Sequence, residues 1–147
     1  MNQSIRITLL ALFLSVGILA EKPALAMTPL SVMGGLSDTV NDSGAIGFVG
    51  GVALNLSSFE ADALYLSHRT AIEVPVMYLF TLAPLVTFGV GAYDDIPTSG
   101  GTNIIGALGS LRIGLGPLFS DLRFTDGFIK NSGVAWADLQ LMIGVNF

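Results

Sequence analysis

The 147-residue chain has no cysteine, and only one histidine and one tryptophan. The missing cysteines exclude disulfides, thiolate metal sites and a lipid-anchored N-terminal cysteine together. One histidine without cysteine does not make a typical zinc site, so neither a metal nor any other cofactor is expected. Charge is also scarce. Charged residues form 12% of the chain, against about 25% in an ordinary soluble domain. Eleven acidic residues outnumber six basic ones, a balance that argues against nucleic acid as a partner. Long apolar runs are missing as well. A membrane-spanning helix needs about 20 mostly apolar residues, and only the stretch from Ile5 to Ala20 approaches that length. Yet 52% of the residues are hydrophobic. That content needs an explanation without membrane helices and without a disulfide-stapled core.

The N-terminal stretch has the layout of an export signal. Arg6 supplies positive charge, residues 7–20 an apolar core, Glu21-Lys22-Pro23 a break, and Ala24-Leu25-Ala26 the small residues a signal peptidase inspects. The expected organisation is a signal peptide over residues 1–26 and one barrel domain over residues 27–147.

Residues 27–147 carry a period of two, broken by turn residues. In the last segment Ala137, Leu139, Leu141, Ile143, Val145 and Phe147 share one face; Trp136, Asp138, Gln140, Met142, Gly144 and Asn146 share the other. The same alternation runs through residues 46–56, 59–66, 72–78, 86–93, 107–115 and 118–125, with a weaker first strand over residues 27–36. About eight segments of roughly ten residues match the strand length of a tilted barrel that crosses a bilayer. Connections alternate in length. Ser37–Gly44, Asp94–Thr102 and Asp126–Gly133 read as long loops, and Ser57–Ser58, Thr81–Pro84 and Gly116–Pro117 as short turns. A tight connection near His68–Thr70 departs from that alternation. Long outer loops and short inner turns are the pattern of outer-membrane barrels. Pro75 cannot donate a ladder bond and is expected to mark a bulge or kink.

Periodicity alone does not say which face points inward. The strand charges (Glu60, Asp62, Glu73, Arg112, Asp121, Arg123, Asp138) all fall opposite the apolar face. The charge-bearing face is also rich in glycine, which suits the crowded interior of an eight-stranded barrel. The leucine, isoleucine, valine and phenylalanine rows suit lipid. The expected fold is therefore all-β: an eight-stranded antiparallel up-and-down transmembrane β-barrel. Gln140, Val145 and Phe147 resemble the C-terminal strand signal of bacterial outer-membrane proteins, although Met142 stands where that pattern often has glycine. Phe59, Tyr65, Tyr78, Trp136 and Phe147 are expected as interface aromatics.

The segments Ile72–Tyr78, Val86–Tyr93, Leu118–Phe124 and Leu139–Phe147 resemble the small outer-membrane β-barrel domain family, including OmpX-like and PorT-like barrels. The resemblance implies a barrel in a Gram-negative outer membrane, contact with outer-membrane lipids and lipopolysaccharide, and insertion by the barrel-assembly machinery. It implies no reaction, since a fold does not fix a function.

Three readings of function compete. The first is a structural or interaction barrel whose seven strand charges pair across a plugged lumen, because buried charge needs partners. The second is an outer-membrane lipid hydrolase. Lipid A deacylase is a small barrel that uses a His–Ser pair with a carboxylate, and Ser67, His68 and Glu73 are the candidates here. Adjacent strand residues point to opposite faces, so the bland reading is a loop-edge histidine near solvent. The third is a narrow pore. Asp94-Asp95 is expected as a solvated acidic turn, with weak calcium binding as its functional alternative. If export proceeds as read, the intact mass of the purified protein will correspond to a chain starting at Met27; a mass that retains residues 1–26 would refute the cleavage site.

Overall fold

The protein, a computed structural model, is described over residues 30–40, 46–128 and 137–147. The expected signal peptide, Trp136 and most of the first and last long loops lie outside those residues. Eight strands follow in order: β1 (Leu30–Thr39), β2 (Ile46–Leu56), β3 (Phe59–Leu66), β4 (Ala71–Ala83), β5 (Val86–Pro97), β6 (Ile104–Leu115), β7 (Leu118–Phe128) and β8 (Ala137–Asn146). Each pairs antiparallel with its sequence neighbour, and β1 pairs with β8, so the sheet closes on itself. The closing seam runs from Ser31 opposite Asn146 to Thr39 opposite Asp138. Closure leaves no strand edge, the condition a sheet must meet in hydrocarbon, where an unpaired peptide group costs several kcal/mol.

The alternating sequence determines what faces where. Odd-numbered residues of β1, β2, β4, β5 and β7 point inward, as do even-numbered residues of β3, β6 and β8. The exterior is a sheath of exposed Leu, Ile, Val and Phe, with Ile143 68% and Leu115 67% exposed. The interior holds the charged side chains, with Arg123, Asp121, Glu60, Glu73 and Asp138 fully buried. This is the inverse of a soluble barrel. Phe59, Tyr78, Phe80 and Phe88 line up on the outside of β3, β4 and β5, near the short-turn end. Tyr65 and Phe147 also face outward, 46% and 65% exposed.

Turn chemistry separates the two ends. Ser57–Ser58 and Gly116–Pro117 are two-residue hairpins whose first residue has positive φ, 61° at Ser57 and 66° at Gly116. That geometry matches the twist of the flanking strands. Glycine adopts it freely, whereas Ser57 accepts a penalty of about 1 kcal/mol. The third short turn, Pro84–Leu85, has no positive φ. It is accommodated instead by a register shift between Thr81 and Ala83 on β4. The turn expected at Thr81–Pro84 is therefore displaced, since β4 continues to Ala83.

Three expected loops are shorter than expected, because strands run into them. β1 continues through Thr39, β5 through Pro97 and β7 through Phe128. Ser37, Asp94, Asp95 and Asp126 are strand residues as a result. Pro75 makes the expected fault in the ladder but not the expected bulge. Its position is paired with Tyr93 on β5. On the β3 side the ladder is interrupted between Ala61–Val76 and Leu64–Glu73, with the same register on both sides of the gap. The missing N–H removes ladder bonds without inserting a residue, so Pro75 makes neither bulge nor register shift.

Gly51, on the inner face of β2, lies against the β3 backbone: a methyl group there would collide with the carbonyl oxygen of Ala63. Outward-facing Gly109 has open space around it. Gly51→Ala should therefore cost more than about 2 kcal/mol, and Gly109→Ala less than about 0.5 kcal/mol. Urea unfolding in detergent, followed by heat-modifiable gel migration, measures both; equal effects would contradict this wall geometry.

Candidate functional site: the charged lumen

The lumen is layered. Toward the short-turn end, Glu60 (β3), Asp62 (β3), Arg112 (β6), Asp121 (β7) and Arg123 (β7) form one network. Arg112 grips Glu60 with both terminal nitrogens at 2.6 Å and donates from Nη2 to Asp121 at 2.8 Å. Arg123 donates to Asp121 from Nε at 3.0 Å and from Nη2 at 2.9 Å, to Glu60 at 3.1 Å, and from Nη1 to Asp62. Ser110 donates to the second oxygen of Asp121 at 2.5 Å. Strand registers explain the convergence: Arg112 lies opposite Asp121, and Ser110 opposite Arg123. The planar, forked guanidinium matches two carboxylates at once where a lysine would meet one.

An aromatic ring lies beneath this network. The ring of Phe119 lies against Gly144, and the Arg112 guanidinium stacks on that ring, 4.3 Å from its centroid. Beside it Asn55 donates to Ser31 at 3.0 Å, and Ser31 to Asn146 at 2.7 Å. Apolar side chains fill the lumen around the charges: Met33, Val49, Leu64, Leu66 and Met142 on one side, Met77, Leu79, Tyr93 and Leu108 on the other.

A second network lies at the loop end, built around Arg69 of the β3–β4 turn. Arg69 donates to Asp138 (β8) at 2.5 Å, lies 2.9 Å from Asp95 (β5) and 3.6 Å from Glu73 (β4). Gln140 donates to both oxygens of Glu73 at 3.2 Å, and Thr39 to Asp138 at 2.8 Å. The seven strand charges read from the sequence thus divide between two clusters, five in the first and Glu73 and Asp138 in the second. Arg69 and Asp95 were not among the lumen charges expected from the sequence, since both fall where connections were expected. Among the described residues the lumen holds three guanidinium groups and six carboxylates.

Asp94-Asp95 is not a solvated turn. Asp95 is buried on Arg69, and Asp94, on the outer face, accepts from Asn103 at 3.0 Å. Nor is His68 near solvent: its side chain is 3% exposed and its Nε2 lies 3.5 Å from Asp138. Ser67 points elsewhere. Its residue is exposed, and its hydroxyl accepts the backbone N–H of Phe48 at 2.7 Å. Ser67, His68 and Glu73 share a neighbourhood, but the serine oxygen is directed at the β2 backbone and the imidazole at Asp138. Of the three residues expected to form a C-terminal signal, Gln140 faces the lumen and is tied to Glu73, whereas Phe147 faces outward and its N–H donates to the Leu30 carbonyl at 2.9 Å.

The chain matches no family model and no curated protein. Among solved structures it is similar to one described as "De novo design of transmembrane beta-barrels", with a TM-score of 0.64 and 14% sequence identity over 86% of this chain and all of that one. The fold is that of a closed, eight-stranded antiparallel β-barrel, shared with that designed barrel.

Removing one partner from a buried ion network leaves uncompensated charge and costs about 3–5 kcal/mol. Arg123→Met should lower stability by that amount, and adding Asp62→Asn should restore part of it. Unfolding of both variants in lipid vesicles checks this; a neutral Arg123→Met would show that the network does not hold the lumen together.

Proposed function

We propose that the protein is an outer-membrane β-barrel of a Gram-negative cell envelope, with a structural or surface-interaction role and a lumen plugged by charged side chains. The observation that carries this reading is the inversion of polarity. Leucine, isoleucine and valine side chains are exposed all around the wall, while the strand carboxylates and guanidiniums on its inner face are buried and paired. Water would penalise such a surface, whereas hydrocarbon matches it. Export by the segment 1–26 and the β8 pattern Gln140–Val145–Phe147, of the kind read by the barrel-assembly machinery, support the outer membrane over other membranes. The resemblance to OmpX-like and PorT-like barrels belongs to the same reading. Outer-membrane lipids and lipopolysaccharide are then the partners of the apolar sheath.

The Phe119 ring beneath the network and the apolar filling around Met33, Leu64 and Met142 favour a plug over a narrow pore. The divergent aim of Ser67 and His68 favours a non-enzymatic role over lipid hydrolysis. Purified protein in planar bilayers should give no unitary conductance, and the protein should fractionate with outer membranes as a heat-modifiable band. Steady ion-selective steps would overturn the plug, and recovery as a soluble periplasmic protein would overturn the membrane assignment. An altered lipid A acyl profile on expression, abolished by His68→Ala, would restore the enzyme.

A further inference from the structure

Charge at the loop end is unbalanced. Glu73, Asp95 and Asp138, from three strands, converge on the single guanidinium of Arg69. The three carboxylate side chains are almost completely enclosed, while Arg69 keeps 12% of its side-chain surface exposed. A second observation points the same way. Asp95 Oδ1, Thr125 Oγ1 and Gln140 Oε1 belong to residues no more than 1% exposed, and none has a hydrogen-bond partner among the described residues. Thr125 faces inward directly across from Asp138. The cup thus sets three carboxylates and these unpartnered acceptor oxygens around one guanidinium and one imidazole, that of His68, whose Nε2 lies 3.5 Å from Asp138. A planar cation carrying five N–H donors answers both needs.

The surroundings favour delivery of such a group from outside. Asp38, Asp94 and Asp126 lie on the outer face of the wall at the same end, and among the described residues no basic side chain accompanies them there. A surface of one sign steers oppositely charged partners toward it. The β3–β4 turn is tethered at both ends, by Ser67 N–H on the Phe48 carbonyl and by Thr98 N–H on the Thr70 carbonyl, each 2.9 Å. A guanidinium entering the cup would displace the Arg69 side chain by rotation while the turn stays tethered.

We propose that the loop end is a docking surface for an arginine-bearing basic segment of another protein, whose guanidinium enters the carboxylate cup that Arg69 fills in the free chain. This deepens the surface-interaction reading above by giving the partner its chemistry. The test uses the full chain in nanodiscs of zwitterionic lipid, with a fluorescent hexa-arginine peptide and its citrulline counterpart as probes. Arg69→Ala should bind the arginine peptide about tenfold or more tightly than the native chain, with no gain for citrulline. Adding Asp95→Asn and Asp138→Asn should abolish the gain. Equal binding to the native chain and Arg69→Ala would overturn the proposal, as would a gain that survives loss of the two carboxylates. If Arg69→Ala does not fold alone, refolding with millimolar methylguanidinium replaces the binding measurement. Recovery of the heat-modifiable band supports the cup, and recovery no better than in equimolar sodium chloride overturns it. A barrel that conducts and still shows the arginine-specific gain would refute the sealed lumen while leaving this site standing.

Discussion

Closure of the sheet leaves no row of peptide groups unpaired at an edge, and the rest of this structure depends on it. In the membrane reading proposed above, hydrocarbon makes that closure obligatory, and closure brings eight inward faces around one narrow axis. A lumen of that size is filled by side chains. Polar and ionised groups that the apolar outer wall excludes collect there, where each must find a partner. The pairing of Arg112 and Arg123 with Glu60, Asp62 and Asp121 is thus a consequence of closure as much as a cause of stability. A buried network of this kind is weak evidence for net stabilisation over a well-packed apolar core. What it supplies here is a set of strand-to-strand demands that one arrangement satisfies.

Much of the fold was legible in the sequence because a period of two survives inversion. Whichever face is buried, alternation marks a strand, and Gly116 is the residue that the hairpin geometry at Gly116–Pro117 favours. Strand ends at the loop side were less legible for a physical reason. In a soluble sheet, polar residues at the end of an alternating run signal the loop. In an inverted barrel the same residues also line the lumen. Thr39 and Asp95 are polar and close to glycine, serine or threonine, so they read as loop, yet β1 and β5 include them and turn them inward. The loop-end network was incomplete in the sequence for that reason. Its organising cation, Arg69, lies in a turn, where side-chain direction follows from local backbone geometry and not from alternation.

The two networks differ in character. Near the short turns, two guanidiniums serve three carboxylates, Phe119 lies beneath them, and every member comes from a strand. At the loop end one guanidinium serves three carboxylates, and it is carried by a turn whose Thr70 has a φ of 50°. The first is framework. The second lies where the framework meets the outside, on a side chain that retains contact with it.

The polar clasp at the β1–β8 seam has a consequence for assembly. Ser31 meets Asn146 at one end of that seam and Thr39 meets Asp138 at the other, so the last strand to be zipped is checked at both extremities. Sliding β8 by two residues would keep its greasy face outward and preserve the ladder, and alternation alone would not detect the error. It would, however, set Ser31 against Gly144 or Asn146 against Met33, stranding an amide or hydroxyl in a dry interior. The misthreaded cylinder is thereby penalised by unsatisfied polarity and not by exposed hydrophobicity, a form of proofreading that operates even when both sides of the membrane problem look solved.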